Sequence, residues 1–184
     1  MLHNSYGADE TKKGRFMKQI LLIALFIFAG TPLLAESSPD VVASVDLKRY
    51  SGQWFEIAHS KNFFQRNCLK SQARYEVLDS RTLSVLNSCV TKFGTTEKIS
   101  GEAKVVDPKT PAKLKVRFNL LARGDYWITE LDPGYQWAVV SGPDKKSLFI
   151  LARQAPMPQD LLQNILATLR AKKYDISKLV FDQY

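Results

Sequence analysis

Histidine and cysteine are scarce in this chain, with 2 of each among 184 residues. Only His59 falls beyond the first 35 residues, and no Cys-x-x-Cys spacing occurs. A tetrahedral knot of clustered thiolates and imidazoles is therefore not expected, nor is any bound metal or cofactor. The same scarcity leaves few candidates for a nucleophile and its base, so the chain is expected not to be an enzyme. There is no arginine-rich block and no nucleic-acid-binding motif. Nucleic acid is thus not an expected partner, despite a formal charge of +8. Long apolar runs are missing too. The longest, Ile20–Ala29, is well short of the roughly 20 residues that a membrane span needs. No internal repeat or low-complexity tract is present.

What the N-terminus does hold is an export pattern. Lys12, Lys13, Arg15 and Lys18 precede the apolar run, Gly30 and Pro32 interrupt it, and Leu33-Leu34-Ala35 ends on a small residue. A basic region, a short apolar region and a small exit residue read as a cleavable secretory signal, with an uncleaved anchor as the alternative. Met17 stands directly before the signal, so residues 1–16 are either an upstream extension or a long basic region. The expected division is an extension and signal over 1–35 and a single domain over 36–184. Cleavage after Ala35 would remove four Lys/Arg and two Asp/Glu, taking the charge from +8 to +6. That charge is either a solvated basic surface or a basis for peripheral contact with an anionic membrane. Glu36 occupies the place where a lipoprotein signal would need its acylated cysteine. A soluble periplasmic protein is expected, with outer-membrane association or secretion as alternatives. Cys68 and Cys89 both lie in the exported part, where an oxidising compartment makes a disulfide the default.

The rest of the chain alternates in short, turn-bounded segments. Asp46–Tyr50 reads as a helical turn, and strands are expected over Gly52–His59, Ser71–Leu78, Thr82–Thr91 and Glu97–Val106. The next strand has the cleanest alternation, with Leu114, Val116, Phe118 and Leu120 on one face and Lys113, Lys115, Arg117 and Asn119 on the other. Strands over Asp125–Leu131, Tyr135–Ser141 and Ser147–Arg153 follow, separated by Asp132-Pro-Gly and Gly142-Pro-Asp turns. The hairpin between the second and third strands brings Cys68 toward Cys89. After Pro158, Leu161, Leu162, Ile165, Leu166 and Leu169 form an apolar stripe at helical spacing over Gln159–Ala171. Ile176–Phe181 adds a last edge strand. Eight strands with short connections predict an all-β, eight-stranded up-and-down antiparallel barrel with a C-terminal helix packed outside.

Leu47-x-Arg49-Tyr50-x-Gly52-x-Trp54-Phe55-Glu56-Ile57-Ala58, then Tyr126-Trp127-Ile128 through Asp132 and Tyr135, then the strand ending at Arg153, resemble the three signatures of the lipocalin family in order. The resemblance runs from about Asp46 to the C-terminus. The segment from Ala138 to Arg153 is most similar to the bacterial outer-membrane and apolipoprotein D-like branch. Asp132-Pro-Gly-Tyr135 departs from the usual form of the second signature. The resemblance implies binding and transport or storage of a small hydrophobic ligand in the cell envelope, a fatty acid or lysophospholipid, by a monomer or homodimer. Two alternatives on the same fold are an isomerase or de-epoxidase, and a pigment or haem carrier with His59 as axial ligand.

The resemblance also assigns structural roles. Gly52 allows a tight entry into the first strand, Trp54 plugs the closed end, and Arg153 lies across its ring as a cation–π pair. Alternation nominates the inward ligand-binding residues as Ala73, Tyr75, Val77, Val85, Asn87, Val116, Phe118, Leu120, Tyr126, Ile128 and Phe149. Among them Tyr75, Tyr126 and Asn87 are the polar handles. Arg66 and Arg123 are the expected cations at the mouth, because Arg74, Lys115 and Arg117 fall on the wet face. Glu56 is expected to face inward as a hydrogen-bonded structural carboxylate.

Overall fold

The computed structural model describes residues 38–120 and 122–184. The extension and signal expected over 1–35, and Glu36, lie outside the described residues. Period-two alternation between turn residues produces eight strands: β1 (Gly52–Ser60), β2 (Cys68–Asp79), β3 (Thr82–Thr91), β4 (Thr96–Val105), β5 (Lys113–Arg117), β6 (Arg123–Leu131), β7 (Trp137–Ser141) and β8 (Leu148–Ala152). Each pairs antiparallel with the next. β8 returns to β1, and β1 pairs with β2, so the barrel closes. A short helix α1 (Leu47–Tyr50) precedes β1 and is capped by the Asp46 side chain. Helix α2 (Gln159–Ala171) follows β8, and a short 3-10 turn (Ile176–Lys178) leads into β9 (Leu179–Phe181).

Connections in an up-and-down barrel alternate between its two ends. The β2–β3, β4–β5 and β6–β7 turns therefore share one end with α1. The β1–β2, β3–β4, β5–β6 and β7–β8 loops share the other. Cys68 and Cys89 form a disulfide across the β2–β3 pair, toward this second end.

The seam between β1 and β2 is built in two parts. Direct pairing runs only from Gly52↔Tyr75 to Phe55↔Gln72. Above it, β9 pairs with β1 through Ala58↔Phe181 and His59↔Val180. The Asp182 N–H then donates to the Ile57 carbonyl (3.1 Å) and the Gln183 N–H to the Leu69 carbonyl (2.8 Å). Ser71 N–H donates to Asp182 Oδ2 at 2.5 Å, and the Tyr184 hydroxyl donates to the Ser71 carbonyl. The C-terminus thus laces the two strands together.

Two apolar cores follow from the faces. The inner core gathers Trp54, Tyr75, Leu83, Val85, Leu114 and Ile128 with α1. The outer core packs Leu162, Ile165, Leu166 and Leu169 of α2 on Ile57, Ala58, Val139 and Ile150. Because α2 covers the outer face of β7 and β8, those strands are apolar on both sides and lose the simple alternation of β5.

Several strand boundaries differ from the sequence pattern, with β2 beginning at Cys68 and β7 at Trp137. The alternation of β5 continues in sequence to Leu120, but the strand ends at Arg117. The N–H groups of Phe118 and Asn119 turn back to the Ala122 carbonyl (2.8 and 3.5 Å), leaving Leu120 on a turn with 84% of its surface exposed. Leu120 is therefore not an inward residue. Val77 still pairs with the buried Leu83 and shares its face, but near the hairpin tip it is 38% exposed. Arg123, expected on a loop, is the first residue of β6.

Candidate functional site

The closed end starts from Gly52. Its φ of +96° is open to glycine, and an added Cβ would stand 3.3 Å from Arg153 Nη1. The Arg153 guanidinium lies 3.8 Å over the Trp54 ring. It also donates to the carbonyls of Gln53 (2.7 Å), Arg49 (2.7 Å), Ser51 (2.9 Å), Tyr50 (3.2 Å) and Tyr135 (3.2 Å). One side chain thereby ties α1, β1 and the β6–β7 turn around a fully buried indole. The ring N–H of Trp54 is satisfied by the Tyr50 carbonyl at 2.7 Å.

Three tyrosines form the layer above. Tyr50 and Tyr126 hydroxyls are 2.7 Å apart, and the Tyr75 hydroxyl donates to that of Tyr126 at 2.9 Å. Burial raises the pKa of all three above the ordinary 10.0, so each remains a neutral phenol. Three hydroxyls carry three hydrogens, and two bonds join them, so one O–H donor is left over. Tyr75 and Tyr126, nominated as separate handles, are one network.

Exposure then grows along the inward faces. Ala73, Val85, Val116 and Ile128 are buried, while Asn87, Phe118 and Phe149 are half-buried. Ile99, which pairs with Asn87, is 41% exposed. Inward-facing side chains are thus less enclosed toward the open end. Among the described residues, Asn87 Oδ1 is buried there with no hydrogen-bond partner.

On one wall stands a polar cluster. Glu56 pairs with Leu151 and His59 with Phe149, two residues of the inner core or packed on it, so both side chains share the inward face of β1. Glu56 Oε1 accepts from Gln65 Nε2 at 2.5 Å, and Gln65 also reaches Ser71 Oγ at 3.3 Å. His59 Nε2 lies 3.9 Å from Glu56 Oε1 and 3.8 Å from Asp182 Oδ1. Burial, reinforced by the Asp182 charge, pushes the Glu56 carboxyl up to about 8, while Gln65 opposes the shift. Burial likewise pushes Asp182 up to about 6 against the Ser71 N–H, and it lowers His59 against its bond to the Ser60 carbonyl. Glu56 and His59 were visible in the sequence. Asp182 was not, because only the C-terminal lacing brings it here.

The open rim is apolar and basic. Phe63 (71%), Phe64 (78%), Phe93 (70%) and Leu120 (84%) are exposed on three different loops. Arg66 stacks 3.9 Å over Phe63, and Lys92 lies 5.3 Å over Phe93. Arg123 pairs with Arg117 just below the β5–β6 loop, both exposed. Outside the barrel, a separate groove of about 430 Å³ runs between α2 and the C-terminal strand, lined by Ile57, Met157, Leu162 and Phe181 among others.

Comparison with known proteins agrees with this architecture. A family model described as a lipocalin-like domain matches residues 45–183. Temperature-induced lipocalin-1 of Arabidopsis thaliana is 36% identical over 149 residues, covering 76% of this chain and 80% of that protein. Outer membrane lipoprotein Blc of Escherichia coli K12 is 35% identical over 144 residues (78% and 81%). Apolipoprotein D of Mus musculus is 32% identical over 150 residues (77% and 78%). Among solved structures, insecticyanin of the tobacco hornworm superposes with a TM-score of 0.62 at 22% identity, covering 82% of this chain and 85% of that one.

Proposed function

Since this chain belongs to the lipocalin family, whose members bind small hydrophobic ligands, we propose that it carries one single-chain lipid, a fatty acid or lysophospholipid, in the upper barrel. The observation that carries this reading is the change along the inward faces, from buried aliphatic side chains to half-buried Asn87, Phe118 and Phe149, with Asn87 Oδ1 unpartnered among the described residues. This upper interior is the proposed chamber. An apolar lining with a few placed polar groups suits an amphiphile. The spare hydroxyl hydrogen of the tyrosine layer is a second polar contact at the chamber floor. The reading is one of binding and transport rather than catalysis.

The rim supports a location for this work. Exposed rings on separate loops, interleaved with Arg66 and Lys92, suit the interfacial zone of an anionic membrane, where apolar rings bury and cations meet headgroups. The protein would load or release lipid while its mouth rests on such a surface. An outer membrane lipoprotein among its relatives and the export pattern at the N-terminus both support an envelope location. No described helix is long and apolar enough to cross a membrane.

The test compares two neighbouring substitutions. Phe118→Asp places an unpaired carboxylate at the chamber wall and is expected to weaken lysophospholipid binding about tenfold or more. Lys115→Asp changes an exposed side chain of the same strand and should leave affinity near that of the parent, apart from a salt-sensitive part. Native mass spectrometry should show one lipid per chain. If folded Phe118→Asp, verified by circular dichroism, binds as tightly as the parent, the chamber is not the lipid site.

A further inference from the structure

The Glu56–His59–Asp182 cluster brings three possible ligand atoms together. His59 Nδ1 is 3.0 Å from the Ser60 carbonyl, which only accepts, so Nδ1 carries the hydrogen and Nε2 a lone pair. Asn62 Nδ2 also lies 3.3 Å from Nδ1. However, its two hydrogens are used by Gln65 Oε1 (2.6 Å) and the Ser60 carbonyl (3.2 Å), so it does not require Nδ1 to accept. The Nε2 lone pair therefore faces one side-chain oxygen each of Glu56 and Asp182, and Nε2 has no hydrogen-bond partner among the described residues. The three side chains are 3%, 10% and 2% exposed for His59, Glu56 and Asp182. Three electron-pair donors converge in a dry place, and the ligand atoms all lie within 4.8 Å of one another.

We propose that Glu56, His59 and Asp182 bind a divalent transition-metal ion of the zinc class on the inward wall of the barrel. The donor set, one imidazole nitrogen and two carboxylate oxygens, is one that zinc accepts, with a fourth position left for water or another ligand. A small inward movement of each side chain would bring the three atoms to zinc distances of about 2.0–2.2 Å. The outer contacts that orient metal ligands are already in place. The Nδ1–H donates to a backbone carbonyl, Gln65 holds the Glu56 carboxylate, and the Ser71 N–H holds Asp182. The ion would join β1 to the C-terminal segment, and so would lock the seam of the barrel.

The experiment uses the protein stripped with chelator and titrated with Zn²⁺, then with Co²⁺ as a spectroscopic substitute. One Zn²⁺ should bind per chain, and Co²⁺ should give the visible absorption of a low-coordinate nitrogen–oxygen site. His59→Gln and Asp182→Asn should each weaken Zn²⁺ about tenfold or more, while the exposed Glu76→Gln should not. The His59 ring resonance of the unmodified protein gives a readout that needs no substitution, and it should shift with Zn²⁺ in step with binding. Absence of stoichiometric binding, an unmoved His59 resonance, or Zn²⁺ affinity unchanged in His59→Gln would each overturn the proposal.

Discussion

The two ends of the barrel solve opposite problems with the same strands. At the closed end the central aromatic is buried and paired with its cation, although Leu78 and Val106 at the turns there are exposed. Trp54 is enclosed, its N–H is satisfied, and Arg153 is held by five carbonyls. At the open end four large apolar side chains stand in solvent, and a disulfide supplies what packing does not. Packing is concentrated at the closed end, while the other rim keeps surface that folding alone would bury.

Removing the plug should break this contrast most severely. Trp54→Ala is expected to cost about 3–5 kcal/mol, the range for deleting a buried large aromatic, read from urea or thermal unfolding. Next comes the staple. Replacing both cysteines with serine should cost roughly 3 kcal/mol in the chain-entropy model for a loop of this size, the two being 21 residues apart. The parent, assayed without reductant, should show no reactive thiol, and hydrogen exchange in the double variant should quicken first in the β1–β2 and β3–β4 loops.

A smaller effect is expected from Arg153→Lys. The charge survives, but a single ammonium cannot stack on the indole and reach five carbonyls together, so a loss of about 1–3 kcal/mol is expected. An unchanged melting temperature would show that the carbonyls find other partners. Smallest in stability is the rim. Phe63→Ser with Phe93→Ser should alter unfolding by less than about 0.5 kcal/mol, yet sharply reduce binding to vesicles containing anionic phospholipid. Equal vesicle binding by parent and variant would remove the membrane role from these loops.

What could be read in the sequence divides along the same line. β3 and α2 begin and end where their patterns do, because hairpin turn residues and a 3.6-residue stripe are local signals. β5 shows the limit. Its alternation runs on through Phe118 to Leu120, but strand pairing ends at Arg117↔Arg123 and the turn takes over. Apolar residues at a rim obey the same period as those in a wall, so periodicity cannot tell a mouth from a core. Leu120 was misplaced for that reason. The polar wall was legible only in part. Glu56 and His59 sit on one strand, whereas Asp182 reaches them through contacts spanning 111 residues, such as that with Ser71. No local pattern encodes such a contact.

The lacing of β1 to β2 by residues 180–183 also sets an order of events during synthesis. Strand β1 emerges long before Val180, Phe181, Asp182 and Gln183, so its upper edge waits for them. Chains are produced at about 5–20 residues per second, and segments near the N-terminus ordinarily begin folding first. The upper seam is therefore completed late, after all eight strands of the barrel have been made. A nascent chain halted before Leu179 would keep the direct pairing of β1 with β2 but leave the upper edge of β1 open.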